Sequence, residues 1–205
     1  MSATPQLIIF VKAPRAGSVK TRLARTLGAE AALDAYHILV TTLLRNLAGL
    51  KKVELRFSPD DAANEIRLWL ERDWTLEAQG DGDLGKKLQR AFEKHFARGK
   101  NAVVIIGSDC PQIECADIAA GWQALEKCDV VLGPARDGGY WLIGLRQPQP
   151  HLFENISWST ATVLRETLAA AREEKLTVHL LRELRDVDTE MDWKEFCARR
   201  TNSRP

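Results

Sequence analysis

Short apolar runs alternate along this chain with longer segments whose apolar residues recur every three or four positions, and this alternation limits the fold more than any other feature. Strand-type runs fall near 6–12, 52–57, 74–78, 102–107, 129–133, 139–145 and 177–181. Helical patterns fall near 19–27, 29–48, 60–72, 84–97, 116–126, 159–174 and 190–199. Strands interleaved with helices predict an α/β fold, a mostly parallel sheet covered by helices. One junction breaks the rhythm. Pro134-Ala135-Arg136-Asp137-Gly138-Gly139 is too short for the crossover that a parallel pair requires, so the strands on either side are expected to be antiparallel or offset in the sheet, and the sheet mixed. Asp60, Asp83, Ser159 and Thr189, the last with Asp192 three residues on, stand where helix N-caps are expected. Residues 148–158 carry little pattern and are expected to cross the sheet edge.

At 205 residues, with 45% hydrophobic and 28% charged content, the chain suits one domain, expected over 1–198, followed by a polar, frayed tail over 199–205. Lysine and arginine total 29 against 28 acidic residues, so no global field favours nucleic acid or an anionic membrane. No apolar run approaches the roughly 20 residues that span a bilayer. The first five residues lack the features of a secretory signal, and a cytoplasmic protein is expected. Cys110, Cys115, Cys128 and Cys197 show no C-x-x-C spacing, and the four histidines are scattered; no zinc site is expected.

In open α/β sheets, ligands bind beyond the carboxyl ends of the strands. The first strand empties into Lys12-Ala13-Pro14-Arg15-Ala16-Gly17-Ser18-Val19-Lys20-Thr21-Arg22, a loop with four cationic side chains around one glycine. Such a loop is either a solvated surface turn or an anion site. The other ends are acidic: Gly80-Asp81-Gly82-Asp83-Leu84-Gly85, Gly107-Ser108-Asp109-Cys110-Pro111, Asp137-Gly138-Gly139 and Asp186-Val187-Asp188-Thr189. Carboxylates beside phosphate-binding cations would repel phosphate unless a hard divalent cation lay between them, which predicts Mg2+ or Mn2+ on Asp109 and Asp188. An isolated aspartate after a strand is more often a turn or cap residue, and that reading stays open for Asp81 and Asp83. Trp69, Trp122 and Trp193 fit helical core positions, whereas Trp141 and Trp158 are expected to wall the cleft. Cys110, next to a carboxylate, is read as packing.

These motifs, with Trp158-Ser159-Thr160, resemble a bacterial family of GT-A-type glycosyltransferase-like proteins of the radical-SAM/selenodomain-associated transferase type. The family lies in the nucleotide-diphospho-sugar transferase superfamily. The sequence is more distantly similar to 2-phospho-lactate guanylyltransferase, molybdenum-cofactor guanylyltransferase and CMP-Kdo synthetase. The resemblance covers nearly the whole chain and implies a three-layer Rossmann-like GT-A fold with one antiparallel strand and helices on both faces. It also implies a nucleotide site of Lys12, Pro14, Gly17, Lys20, Thr21, Arg22, Gly80, Gly82, Asp83 and Gly85. Lys20 and Arg22 would meet the phosphates, and the Gly80–Gly85 turn would lie near base or ribose. Asp137, Gly138, Gly139, Tyr140, Trp158, Ser159 and Thr160 would form the acceptor side. The chain departs from its relatives at Ala16, where a second proline is usual, and at Lys86 and Lys87, where an arginine is common. Ser108-Asp109-Cys110 also supplies one carboxylate where glycosyltransferases carry Asp-x-Asp.

Three functions remain open. The leading one is nucleotidyl transfer from a nucleoside triphosphate to a small phosphorylated or acidic acceptor, with Lys20, Arg22, Asp109 and Asp137 as the catalytic set. The four-cation loop suits a triphosphate better than a diphosphate. The alternatives are glycosyl transfer from a nucleotide sugar, with Asp137 as general base, and nucleotide binding without catalysis. Neither a membrane nor a nucleic acid partner is expected, and oligomeric state is not legible.

Overall fold

The computed structural model of the chain describes residues 5–202. In chain order its elements are β1 (Gln6–Lys12), α1 (Thr21–Leu27), α2 (Ala29–Leu47), β2 (Val53–Ser58), α3 (Ala63–Ile66), β3 (Thr75–Ala78), α4 (Leu84–Ala97), β4 (Val103–Ile106), α5 (Cys115–Ala124), β5 (Val130–Pro134), β6 (Tyr140–Leu145), α6 (Val163–Glu173), β7 (Val178–Leu180) and α7 (Glu190–Asn202). The strands form one seven-stranded sheet in the order β3-β2-β1-β4-β6-β5-β7. All neighbouring pairs are parallel except those of β6, which runs antiparallel to both β4 and β5. The short link after β5 allows only a hairpin return, and the expected mixed sheet is the observed one.

Successive strand residues point to opposite faces. Leu7, Ile9 and Val11 join one core with α2, α3 and α5, while Ile8 and Phe10 join another with α4 and α6. Phe92 is central to the second core and stacks on Phe153 at 5.8 Å, a burial worth about 2–3 kcal/mol. Phe153 and Leu152 belong to a 3-10 turn over Pro150–Phe153. Residues 148–158 therefore insert into the core rather than only crossing the sheet edge. Helices α1 and α7 pack against α2 through Leu23, Ala32 and Ala35 and through Leu39, Val187 and Phe196.

Several helix boundaries differ from expectation. Over 60–72 only α3 and a 3-10 turn at Arg67–Trp69 form, because Ile66, Trp69 and Leu70 reach the core from this tighter path. Asp60 is not a helix cap: its Oδ1 accepts from the Gly80 amide at 3.1 Å. Ser159 takes a left-handed backbone with φ 65, and α6 starts only after Thr162, which has no side-chain cap bond. Asp83 does cap α4, accepting from Lys86 N at 2.8 Å. Thr189 and Asp192 form a reciprocal cap at α7, with Thr189 N donating to Asp192 Oδ2 at 2.8 Å. That helix continues through Arg199 and Arg200 to Asn202, so the tail expected from Arg199 begins as helix; residues 203–205 lie outside the described residues.

An ionic cluster lies between β2 and α4. Glu54 and Arg56, two residues apart on one face of β2, are both buried, and Arg56 Nε donates to Glu54 Oε1 at 2.5 Å. Buried His95 of α4 places Nε2 3.1 Å from Glu54 Oε2. Burial opposes the Glu54 charge, yet the contacts to His95 and Arg56 outweigh it and push its pKa down to about 2.

Candidate active site at the sheet rim

The chain leaves β1 toward β2 and returns across the sheet to β4, so the loops after β1 and β4 diverge at a topological switch point. The loop after β1 is anchored at both ends by buried Ala13 and Val19, and Gly17 takes a left-handed turn with φ 76. Tyr36 pins its start: Lys12 N donates to the Tyr36 hydroxyl at 2.8 Å, and the hydroxyl donates back to Lys12 O at 3.1 Å. Burial raises the Tyr36 pKa to about 12, so the phenol stays protonated.

Lys20 has a left-handed backbone with φ 47 and ψ 46, a conformation that costs a side-chain-bearing residue roughly 1–2 kcal/mol. The turn directs its side chain inward. Only 3% of that side chain is exposed, and Nζ donates to Asp109 Oδ1 and, at 2.9 Å, to Asp188 Oδ1. Arg22, on the first turn of α1, brings Nη1 to 3.8 Å from Asp188 Oδ2. Burial disfavours the Lys20 charge, but the two carboxylates outweigh it and raise its pKa above the lysine range. Asp109 is lowered in turn: crowding at the rim works against its ionisation, and Lys20, with Lys12 farther off, overcomes it.

A third carboxylate belongs to this group and was not singled out from the sequence. Asp186 has a buried, unpartnered Oδ1, and burial together with the charges of Asp137, Asp188 and Asp109 lifts its pKa to about 7. The Asp186-Val187-Asp188 spacing was the available signal, since residues two apart in an extended segment share a face. Val187 between them is buried on Leu39 and Phe196. Asp192 was likewise noted only as a capping partner. It accepts from Asp188 N at 3.3 Å and from Thr189 N, and it pairs with Arg185 at 2.7 Å.

Other expected residues take varied positions. Arg15 is committed to Asp61 and, at 2.6 Å, to Glu65, so three rather than four loop cations are free of α3. The Gly80–Asp83 turn is clamped by Arg90, which donates to Gln79 O at 2.5 Å and Asp81 O at 2.7 Å. Gln79 Nε2 bonds Val11 O at 3.1 Å, fastening that turn to the end of β1. Gly85 is a packing position: a Cβ there would lie 2.7 Å from Trp158 Nε1. Asp137 Oδ1 accepts from Gly139 N at 2.8 Å, and Gly138 O accepts from Leu164 N at 2.9 Å, docking the hairpin loop on α6. The Tyr140 hydroxyl is buried beside Thr167 of α6 rather than open to an acceptor. Trp141 is also core, not cleft wall; it is 3% exposed and its indole donates to Arg182 O at 3.1 Å. Thr160 bonds Ser157 O at 2.7 Å within the loop that Glu166 ties to α6. Cys110 is buried, and that burial raises its thiol pKa, in keeping with packing.

The chemistry of the donor set fits a hard divalent cation. Asp109 and Asp188 converge from different segments on one positive charge, and Mg2+ commonly takes one or two protein carboxylates with phosphate oxygens and water. Among the described residues, no three His, Cys, Asp or Glu side chains form a ready-made metal cage.

A family profile described as "Uncharacterized protein conserved in bacteria (DUF2064)" matches residues 43–160. No curated protein matches the sequence. Among solved structures, a protein of Desulfovibrio desulfuricans G20 assigned to the nucleotide-diphospho-sugar transferases is 34% identical, with a TM-score of 0.90 over 97% of this chain and 88% of that one. CMP:2-keto-3-deoxy-manno-octonic acid synthetase complexed with CTP shares the fold at 8% identity, with a TM-score of 0.62 over 98% of this chain and 100% of that one. Rv0371c of Mycobacterium tuberculosis H37Rv, in complex with manganese, does so at 14% identity, with a TM-score of 0.52 over 93% and 96% of the two chains. The chain is therefore a member of the DUF2064 family, built on the nucleotide-diphospho-sugar transferase fold.

Proposed function

We propose that this protein is a nucleotide-using transferase whose reaction is nucleotidyl transfer. An acceptor phosphate or similar oxyanion attacks the α-phosphorus of a nucleoside triphosphate; the new O–P bond forms as the bond to the β-phosphate oxygen breaks, and pyrophosphate leaves. The observation that carries this reading is the meeting of a basic loop with two carboxylates on one rim: Lys20 between Asp109 and Asp188, with Arg22 beside them. Arg22 and Lys12 are both exposed, and on this reading they receive phosphate oxygens. Backbone of the clamped Gly80–Asp83 turn offers a close approach to base or ribose. A divalent cation on Asp109 and Asp188 would supply charge neutralisation for the phosphates. Such chemistry depends on positioning and electrostatics more than on a covalent nucleophile. A nucleotide substrate suits the cytoplasm, and among the described residues no helix is long and apolar enough to cross a membrane.

The glycosyl-transfer alternative keeps one supporting observation, the exposed Asp137 carboxylate on the hairpin loop, which on that reading acts as a base on an acceptor hydroxyl. Product analysis separates the two: pyrophosphate from a triphosphate supports the first reading, and a nucleoside diphosphate from a nucleotide sugar supports the second. A thermal-shift panel of both ligand classes with and without Mg2+ finds the substrate, since saturating ligand stabilises the native state by a few kcal/mol. Removing a preorganised charge contact costs about 100-fold in rate, so Arg22→Ala and Lys20→Ala should each lose most turnover. Normal turnover in both variants would overturn the assignment, and no shift with any ligand would favour a binding protein without catalysis or a different ligand class.

A further inference from the structure

Lys20 is the most enclosed cation of the basic loop, yet it does not reach toward solvent. Its side chain is 3% exposed and spans Asp109 and Asp188, whereas the Arg22 side chain is 63% exposed and only approaches Asp188. One ammonium therefore fills the gap between the two carboxylates that best suit a divalent cation. It is held inward from a left-handed backbone, with φ 47 and ψ 46. An ammonium and a divalent cation cannot share that gap, because both are positive and both draw on the same carboxylate oxygens.

We infer that Lys20 is a built-in stand-in for the divalent cation: it occupies the cation position in the nucleotide-free protein and is displaced when a cation enters. The inference rests on the reading of Asp109 and Asp188 as the cation's carboxylates. Displacement strips the ammonium of two charge-assisted hydrogen bonds, and the nearest compensation is the phosphate chain of an incoming nucleotide. The cation alone then binds weakly, and cation and polyphosphate each raise the affinity for the other by the same factor.

The test needs no nucleotide. Mn2+ is titrated into the full-length protein and the free ion is followed by electron paramagnetic resonance, for wild type, Lys20→Met, Lys20→Arg and Lys20→Met/Asp188→Asn. Lys20→Met should bind Mn2+ at least tenfold more tightly than wild type, Lys20→Arg no more tightly, and the double variant should lose the gain. In wild type, reductive methylation read by mass spectrometry should spare Lys20 without metal and modify it at saturating Mn2+; this arm decides the matter if Lys20→Met does not fold. Equal Mn2+ affinity in wild type and Lys20→Met, a gain that survives Asp188→Asn, or Lys20 labelling indifferent to Mn2+ would each overturn the inference. Absence of pyrophosphate release with these Mn2+ results intact would instead count against nucleotidyl transfer alone.

Discussion

The main-chain amide of Val187 donates to the carbonyl oxygen of Asp109 at 3.1 Å. The two carboxylate-bearing segments of the rim are thus joined by a bond that neither titrates nor responds to salt. The basic loop meets them chiefly through side chains, those of Lys20 and Arg22. The acidic segments are tied to each other through the main chain, and the basic loop, anchored at Ala13 and Val19, reaches them with its side chains.

Gly138 sets the position of the hairpin loop that carries Asp137. A Cβ at this residue would lie 2.2 Å from the Ala161 carbonyl oxygen, a backbone atom, on a φ of 89. Gly138→Ala should therefore cost about 3 kcal/mol, combining left-handed strain with overpacking. Urea denaturation measures the loss; a variant as stable as wild type would mean that the loop and α6 separate at little cost.

Asp192 holds the Asp188 segment by accepting from two successive amides while its other oxygen pairs with Arg185. Asp192→Ala should lower stability by about 1–2 kcal/mol, as for loss of a helix cap. It should also speed amide exchange at 187–189 and shrink the nucleotide-induced thermal shift. Unchanged exchange there would show that the Val187–Asp109 bond holds the segment unaided.

Glu54 links stability to pH. Its folded pKa, pushed down to about 2, lies below the ordinary 4.5, so its stabilising contribution is complete above 4.5 and fades as pH falls toward 2. Glu54→Gln leaves Arg56 as a buried charge without its main partner and should cost about 3–5 kcal/mol at neutral pH. The gap between variant and wild type should narrow as the pH falls from 4.5 to 2. A gap that stays constant over that range in chemical denaturation would assign the loss to packing instead.

Arg90 braces the Gly80 turn through two carbonyls. Arg90→Ala should leave the core intact and weaken nucleotide binding roughly tenfold, the effect of about 1.4 kcal/mol of lost preorganisation. Isothermal titration with the nucleotide found in the thermal-shift panel measures it; wild-type affinity would exclude this turn from the ligand site.

Much of the frame was legible because its signals are local. The apolar run from Leu7 to Val11 needs cover on both faces, and the short link at 135–139 cannot cross over, so the order of elements and a mixed sheet follow from the chain itself; that β6 is its antiparallel strand follows from the pairing with both β4 and β5. Asp109 was legible because it closely follows the apolar run Val103–Ile106, which ends at the rim; Asp188 follows a largely polar stretch, and its place beside Asp109 came only with the fold. What escaped depended on distant partners. Arg15 looked like a loop cation until Glu65 stood next to it, and Asp60 looked like a cap until the Gly80 amide took its carboxylate. Trp141 lies beside the hairpin loop in sequence, but strand alternation turns its ring into the core. The inward path of Lys20 rests on one left-handed residue and on carboxylates from two remote segments.

The ion pair between Lys20 and Asp188 joins residues 168 positions apart, and that between Lys20 and Asp109 spans 89. During synthesis the first loop, β1, β2 and β4 leave the ribosome well before the segment that completes the rim. Contacts of such long sequence separation reward the chain late, after its loops have closed. The carboxylate pair around Lys20 is therefore complete only once the C-terminal segment carrying Asp188 has been added to the rim.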